Sequence, residues 1–392
     1  MSGSVWDGVV GHAEAVATLR EAVASGRVTH AWLFTGPPGI GKLYVARVFA
    51  AALNCPAGGD GSCAVCRRVL RGVHPDVHLV VPEGDNLLVV DVRAVREEAS
   101  LSRHEGRVAV FILDEADRLT DAAANALLKV LEEPPPEVVF VLVARSADAL
   151  AGTVPSRART LAFASLDPAE LAGTLGAELG VEPAQAAWAA AAGHGRLARA
   201  RALLLDEAAR TRRSATLELV ERLGAKGPSD ALAAATTVVD LADQVVAAVK
   251  LRQEGELAEV EEAFGSGRGS GALRRRLETR HRRELRRARF DAIREAVGDL
   301  LAAYRDMAVL RDQPEAGAGG VALVHPDRAA TLGRLAAGLD PAAPVRAAGA
   351  LEEADRRLAI GAAPLLTLEA AFLSVQAALR GDPVPMQRLA IR

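Results

Sequence analysis

Short apolar runs alternate with amphipathic stretches over the first 165 positions. The runs Ala31 to Thr35, Val77 to Val81, Val108 to Leu113, Val138 to Val143 and Thr160 to Phe163 are apolar along most of their length, the pattern of parallel strands covered on both faces. Between them, Ala13 to Ser25, Lys42 to Leu53, Asp91 to Leu101 and Asp121 to Leu131 place apolar residues at helical spacing. A strand followed by a helix, repeated, predicts a doubly wound α/β sheet. From Asp167 the strand signal stops. Pro168 opens a predicted helical hairpin that runs to about Leu205, punctuated by Gly180 and Glu182-Pro183. Beyond it lie longer helices, interrupted at Gly265 to Gly271 and at Pro314 to Gly320, which read as flexible loops. The expected plan is an α/β domain at 1–165, a small helical domain at 166–206 and an all-helical domain at 207–392, with no internal repeat.

Composition narrows the function classes. The 392 residues are 50% hydrophobic and 25% charged with a net charge of -3, which excludes wholesale disorder and a strongly basic nucleic-acid coat. Any DNA contact is therefore expected to be local and to the backbone, because 3% aromatic residues leave little for base stacking. Met1 to Val10 has no basic region leading into an apolar run, and no uncharged apolar stretch of about 18 residues follows, so a cytoplasmic protein without membrane contact is expected. Lys42, Lys129, Lys226 and Lys250 are the only lysines among the 47 basic residues, which makes each conspicuous.

Lys42 sits in the run Gly36-Pro37-Pro38-Gly39-Ile40-Gly41-Lys42-Leu43, after a predicted strand and at the start of a helix. That is the spacing of a phosphate-binding P-loop, in which Gly36, Gly39 and Gly41 let backbone N–H groups approach phosphates and Lys42 reaches the outer oxygens. A plain Gly/Pro turn is the alternative. The next position is Leu43, where a P-loop has the Ser or Thr hydroxyl that ligates Mg²⁺. Phosphate binding survives this change; efficient hydrolysis is not expected to. The run Val108 to Glu115 has the form of a Walker B strand, with Asp114 placed to hold a metal ion through water and Glu115 to orient an attacking water.

Cys55, Cys63 and Cys66 lie in one segment, which favours a metal knuckle over a disulfide. A structural zinc site needs four ligands, and the next step of the same spacing is Val69, which supplies none. Zinc held by the three cysteines plus His74 or another group, and a relict knuckle of reduced thiols, both remain open. Arg274 to Arg289 contain nine Arg spread over most faces of one predicted helix. A solvated helix and a contact to DNA backbone or a partner subunit are the two readings.

Several strings together resemble the bacterial DNA polymerase III clamp-loader subunits of the AAA+ class over roughly residues 5–165. They are Val9-Val10-Gly11-His12, Thr29 to Phe34, His74-Pro75-Asp76, Asp114 to Thr120, Ala123 to Lys129, Leu131 to Pro135 and Ser156-Arg157. Weaker likeness continues at Gly193 to Arg196, Tyr304 to Asp306 and Pro364 to Leu373. The resemblance implies an AAA+ P-loop domain, a helical lid and an all-α C-terminal collar that assembles a ring with gamma or tau and delta subunits. It further implies a sliding clamp and primer-template DNA as partners.

The resemblance also assigns roles. Arg157 is the arginine finger that enters a neighbouring ATP site, where such a group is worth about 10³ to 10⁵ in rate; a cap or a bridge to a surface carboxylate is its bland alternative. Arg196 falls at the spacing of a sensor-2 arginine, although Arg199 and Arg201 are near. Cys55, Cys63 and Cys66 match three of the family's zinc cysteines. The departures are Leu43, the sensor-1 region at Ala144-Arg145 with Ser146 the nearest hydroxyl, and Ala158 after Ser156-Arg157. They imply a stator that binds ATP or ADP weakly or not at all, and they leave Mg²⁺ open. An ATP-hydrolysing gamma-like subunit using Lys42, Asp114 and Glu115 is the alternative, and a AAA+ protein outside replication a weaker one.

Overall fold

A computed structural model describes residues 3–382 except 83–85, 102, 104, 226, 265–269 and 314–320. Most of the two stretches read as flexible loops therefore lies outside the described residues. The chain divides into two compact units, Met1–Arg201 and Ala202–Arg392.

The first unit is built on five strands, β1 (Ala31–Thr35), β2 (Val77–Val80), β3 (Ala109–Leu113), β4 (Val138–Ala144) and β5 (Arg159–Ala162), in the order β2-β3-β4-β1-β5 and all parallel. Around them come α1 (Ala13–Ser25), α2 (Lys42–Asn54), α3 (Ala64–Arg71), α4 (Val89–Ala99), α5 (Asp121–Glu132), α6 (Pro168–Leu179), α7 (Pro183–Ala192) and the first residues of α8 (Leu197–Leu205). β1, β3 and β4 are buried along their whole length. Strand side chains alternate between faces, so Trp32, Phe34, Val110, Ile112, Val139 and Val141 pack with α1 and α2, while Leu33, Phe111, Leu113, Phe140 and Leu142 pack with α4 and α5. Two covered faces explain the continuous apolar runs.

The α/β class expected from the pattern is the one observed, and the strand bounds move by only one residue or so. Three local expectations change. The segment after Asp167 is three helices rather than a hairpin, because Gly193 and the left-handed His194 and Gly195 separate α7 from α8. α4 starts two residues early: Asp91, at its third position, accepts the Leu88 N–H at 2.8 Å and so fixes Leu88 as the cap. The cysteine segment contains α3, whose N-cap is Cys63 itself.

The second unit continues with α9 (Glu207–Ala225), α10 (Pro228–Phe264), α11 (Ser270–Asp312), α12 (Ala329–Ala337), α13 (Ala343–Ala359) and α14 (Pro364–Arg380). Its core gathers Val238, Val297, Leu300, Tyr304, Leu351, Phe372 and Val375. α10 is long and apolar enough over Pro228–Ala258 to cross a membrane by length and composition, but its Ala231, Ala234, Ala235, Val238 and Ala242 are buried in this helical core. Arg213 closes the unit from inside. It donates to both Asp327 oxygens at 2.8 Å and to His325 Nδ1 at 2.9 Å, while His325 Nε2 meets the Asp299 carbonyl at 3.0 Å. Arg280, Arg287 and Arg289 of the arginine run pair with Glu256, Asp291 and Asp243, which suits the solvated-helix reading of those three. The side chains of Arg274, Arg275, Arg276 and Arg283 lie outside the described residues.

Candidate functional site

The P-loop leaves the C-terminal end of β1 and enters α2. Gly36, Gly39 and Gly41 have φ of 142°, 80° and 101°, a path that side chains rarely adopt. Space forbids side chains as well: a Cβ at Gly36 would stand 2.1 Å from the Phe163 carbonyl oxygen, and one at Gly39 2.5 Å from Arg196 Cδ. Arg196 therefore lies against the loop. Gly41 caps α2 without a side-chain hydrogen bond, so the first-turn N–H groups face outward uncapped, the feature phosphate-binding helices use. His12 Nε2 meets the Ile40 carbonyl at 2.9 Å and holds the loop from the other side.

Lys42 is 6% exposed, and its Nζ donates to the carbonyls of Gly36 and Pro37 at 2.5 and 2.6 Å. Burial lowers its pKa to about 8; Asp114 and Asp117 work against the fall, and Arg145 adds to it. The amine folds back on its own loop. Leu43, where Mg²⁺ needs a hydroxyl, packs its side chain on the core under α2. The glycines, the uncapped helix end and Lys42 fit a phosphate group; the position of Leu43 does not fit a magnesium ligand.

The acidic side of the site is likewise occupied. Asp114 is buried at the end of β3 and accepts the Glu115 N–H at 3.1 Å. Glu115 is in the left-handed region at φ 54°, and its Oε2 accepts from Arg118 Nη1 at 2.7 Å. That oxygen of Glu115 is thereby engaged by a guanidinium three residues on and is not offered to an attacking water. Arg145, in the region where the resemblance puts sensor 1, has its Nε 3.2 Å from Asp117 Oδ2, and its backbone N–H donates to Asp117 Oδ1 at 3.3 Å. The Arg145 carbonyl also receives the Gly36 N–H at 3.0 Å, which joins this ion pair to the P-loop. The sequence assigns no separate role to Arg118 or Asp117, and Arg145 enters only as a departure in the sensor-1 region. Their signal in the sequence was the run of charge immediately after the Walker B acids and the arginine where a hydroxyl was sought.

Arg157 is elsewhere. It ends a short turn before β5, and the register pairs Trp32 of β1 with Arg159, so Arg157 lies beyond the N-terminal edge of the sheet. The P-loop leaves the C-terminal edge after Thr35. The strands between put the two edges roughly 13 Å apart at about 3.3 Å per residue. Arg157 donates to the Thr153 carbonyl at 3.0 Å and to Ser156 Oγ at 3.2 Å, and its Nη2 pairs with Glu132 at 2.5 Å. The structure thus brings Gly36, Gly39, Gly41, Lys42, Asp114, Glu115 and Arg196 toward one end of the sheet and leaves Arg157 at the other.

The cysteines converge. Cys55 ends α2, Cys63 caps α3 and Cys66 lies in its first turn; Cys55 and Cys66 are buried, and all three are free thiols. Burial pushes the Cys66 thiol up. His74, a candidate fourth ligand, is turned away: its Nδ1 accepts the Asp76 N–H at 3.2 Å and its Nε2 stands 3.6 Å from Glu105. Val69 is buried in the core. The group that joins the thiols is Asp60, which the cysteine spacing continued toward the C-terminus does not reach. Read backwards, the same step finds it, since Asp60, Cys63 and Cys66 are each three residues apart.

Residues 11–167 match the family model described as DNA polymerase III, delta subunit. The chain is 39% identical over 153 residues to DNA polymerase III subunit delta' of Bacillus subtilis, covering 38% of this chain and 46% of that protein. It is 35% identical over 165 residues to DNA polymerase III subunit gamma/tau of Mycobacterium tuberculosis, covering 41% and 28%. The chain thus spans less than half the length of these relatives in the match. A DNA polymerase III gamma subunit-related protein from Thermotoga maritima is similar over 93% of this chain and 99% of its own, at 16% identity and a TM-score of 0.41.

Proposed function

We propose that the chain is a delta prime-like stator of a bacterial DNA polymerase III clamp loader, working in the cytoplasm beside gamma or tau and delta. In this reading 166–206 is the lid and 207–392 the collar that holds the ring, and Arg157 enters the neighbour's ATP site while the ring opens the sliding clamp and grips primer-template DNA by its backbone. The observation that carries it is the placement of Arg157 at the sheet edge opposite its own P-loop, out of reach of its own nucleotide. Support comes from the three hydrolytic positions, Leu43, Glu115 with Arg118, and Arg145 with Asp117, each filled by a group that opposes turnover. ATP or ADP binds weakly to the glycine loop and Lys42, with Arg196 alongside, and Mg²⁺ has no hydroxyl ligand there.

The intact Asp114 and Glu115 favour the second reading, a gamma-like ATPase. The isolated chain assayed with Mg-ATP separates the two. The stator reading expects no turnover above background; turnover that disappears in Glu115→Gln overturns it. Co-purification with gamma or tau and delta tests the assembly, and a chain that associates with neither contradicts it.

A further inference from the structure

We infer that the knuckle holds one zinc ion with Cys55, Cys63, Cys66 and Asp60, so that a carboxylate takes the place where four thiolates would otherwise close the site. One ligand atom from each of the four residues lies within 4.8 Å of the others. Tetrahedral zinc with Zn–S of about 2.3 Å and Zn–O of about 2.0–2.2 Å requires sulfurs about 3.8 Å apart and a sulfur-to-oxygen separation of about 3.5 Å. Cys55 Sγ and Cys63 Sγ are 3.8 Å apart, and Cys66 Sγ is 3.5 Å from Asp60 Oδ1. Two of the separations that the ion requires are thus already present, and the remaining ones lie within 4.8 Å.

The chain around the site orients the ligands. The N–H groups of Ser62 and Cys63 donate to Asp60 Oδ1 at 3.1 and 3.0 Å, which fixes the carboxylate against the start of α3 as outer hydrogen bonds fix metal ligands. The Cys66 N–H points to Cys63 Sγ at 3.4 Å. The contact from the Cys66 thiol to Asp60 is the protonated counterpart of the metal site: on binding, the thiols lose their protons and zinc takes their place between sulfur and oxygen. Three soft thiolates select zinc over magnesium or calcium, and one carboxylate is an accepted zinc oxygen ligand. The four residues close the coordination sphere, which makes the role structural. What it fixes is the chain's first segment: Val5 N–H donates to the Gly59 carbonyl at 3.0 Å and Ser4 Oγ to the same oxygen at 3.1 Å, beside Trp6 in the core.

The test uses the full chain, zinc content by elemental analysis, affinity by chelator competition, and Co²⁺ substitution with its thiolate charge-transfer absorption. Wild type is expected to carry one zinc. Asp60→Ala should weaken binding by more than the about 10- to 100-fold that loss of an outer-shell partner costs, while Asp60→Cys should restore it and intensify the cobalt charge-transfer band. Thermal unfolding of each zinc-free form shows that the variants remain folded. A wild type without zinc, an Asp60→Ala variant that binds as tightly as wild type through a water or another group, or an Asp60→Cys variant no better than Asp60→Ala each overturns the assignment.

Discussion

Arg157 Nη2 lies 2.5 Å from Glu132 Oε1, tying the turn before β5 to the last residue of α5. The pair is surface-exposed, 35% for the arginine side chain and 49% for the glutamate, so water and salt screen it. A pair of this kind contributes about 0–1 kcal/mol. It parks the guanidinium without holding it strongly. Glu132→Gln should therefore leave stability within about 1 kcal/mol of wild type in urea unfolding, and a larger loss would mean that the arginine is a structural brace.

Restoring the missing hydroxyl separates binding from turnover. Leu43→Thr should tighten Mg-nucleotide binding by supplying a ligand, yet produce no ATPase, because Arg118 still holds Glu115 and Arg145 still occupies the sensor position. Binding is read by fluorescent nucleotide titration with and without Mg²⁺. A variant that turns over ATP from this one change would show that Leu43 alone silences the site.

Lys42 is expected to set the pH range of phosphate binding. Its pKa falls from 10.5 to about 8 because burial disfavours the charged amine. Affinity for pyrophosphate should accordingly decline as pH rises through about 8, well below the range of an ordinary lysine. Lys42→Met should bind weakly at every pH between 7 and 9; a wild-type profile flat to pH 9 would place the charge elsewhere.

The helical unit carries an acid-sensitive centre. Burial first, and Arg213 beside it, hold His325 below its usual value, with Asp299 and Asp306 opposing. A histidine kept neutral in the folded chain but free to protonate when unfolded costs nothing above its unfolded pKa of about 6.5 and destabilises the fold as pH drops below it. Urea unfolding of the chain should show stability falling from pH 7 to pH 5, with a shallower slope in His325→Gln. Equal slopes would remove His325 from the account.

Most of the first domain was legible because its strands are covered on both faces, and a strand such as Val138–Ala144 has no polar position to confuse the pattern. The P-loop and Walker B residues were legible for the same local reason: each motif is contiguous. What escaped the sequence depends on distance. Glu132 meets Arg157 across 25 positions and Asp117 meets Arg145 across 28, and nothing in the spacing of either pair announces it. Asp60 lies on the N-terminal side of Cys63, whereas the cysteine spacing continued toward the C-terminus leads to Val69 and His74. The turn at Gly193 to Gly195 was hidden by an alanine-rich stretch that reads as one helix until His194 adopts a left-handed conformation.

The central claim is that Arg157 acts on a neighbour's nucleotide, and the ATPase rate of a ring reconstituted with gamma and delta subunits tests it most directly. With Arg157→Ala the ring should assemble normally by size-exclusion chromatography, while hydrolysis at the site that this residue serves falls by about 10³- to 10⁵-fold. A ring that assembles with the Arg157→Ala chain and hydrolyses ATP at the wild-type rate contradicts the claim.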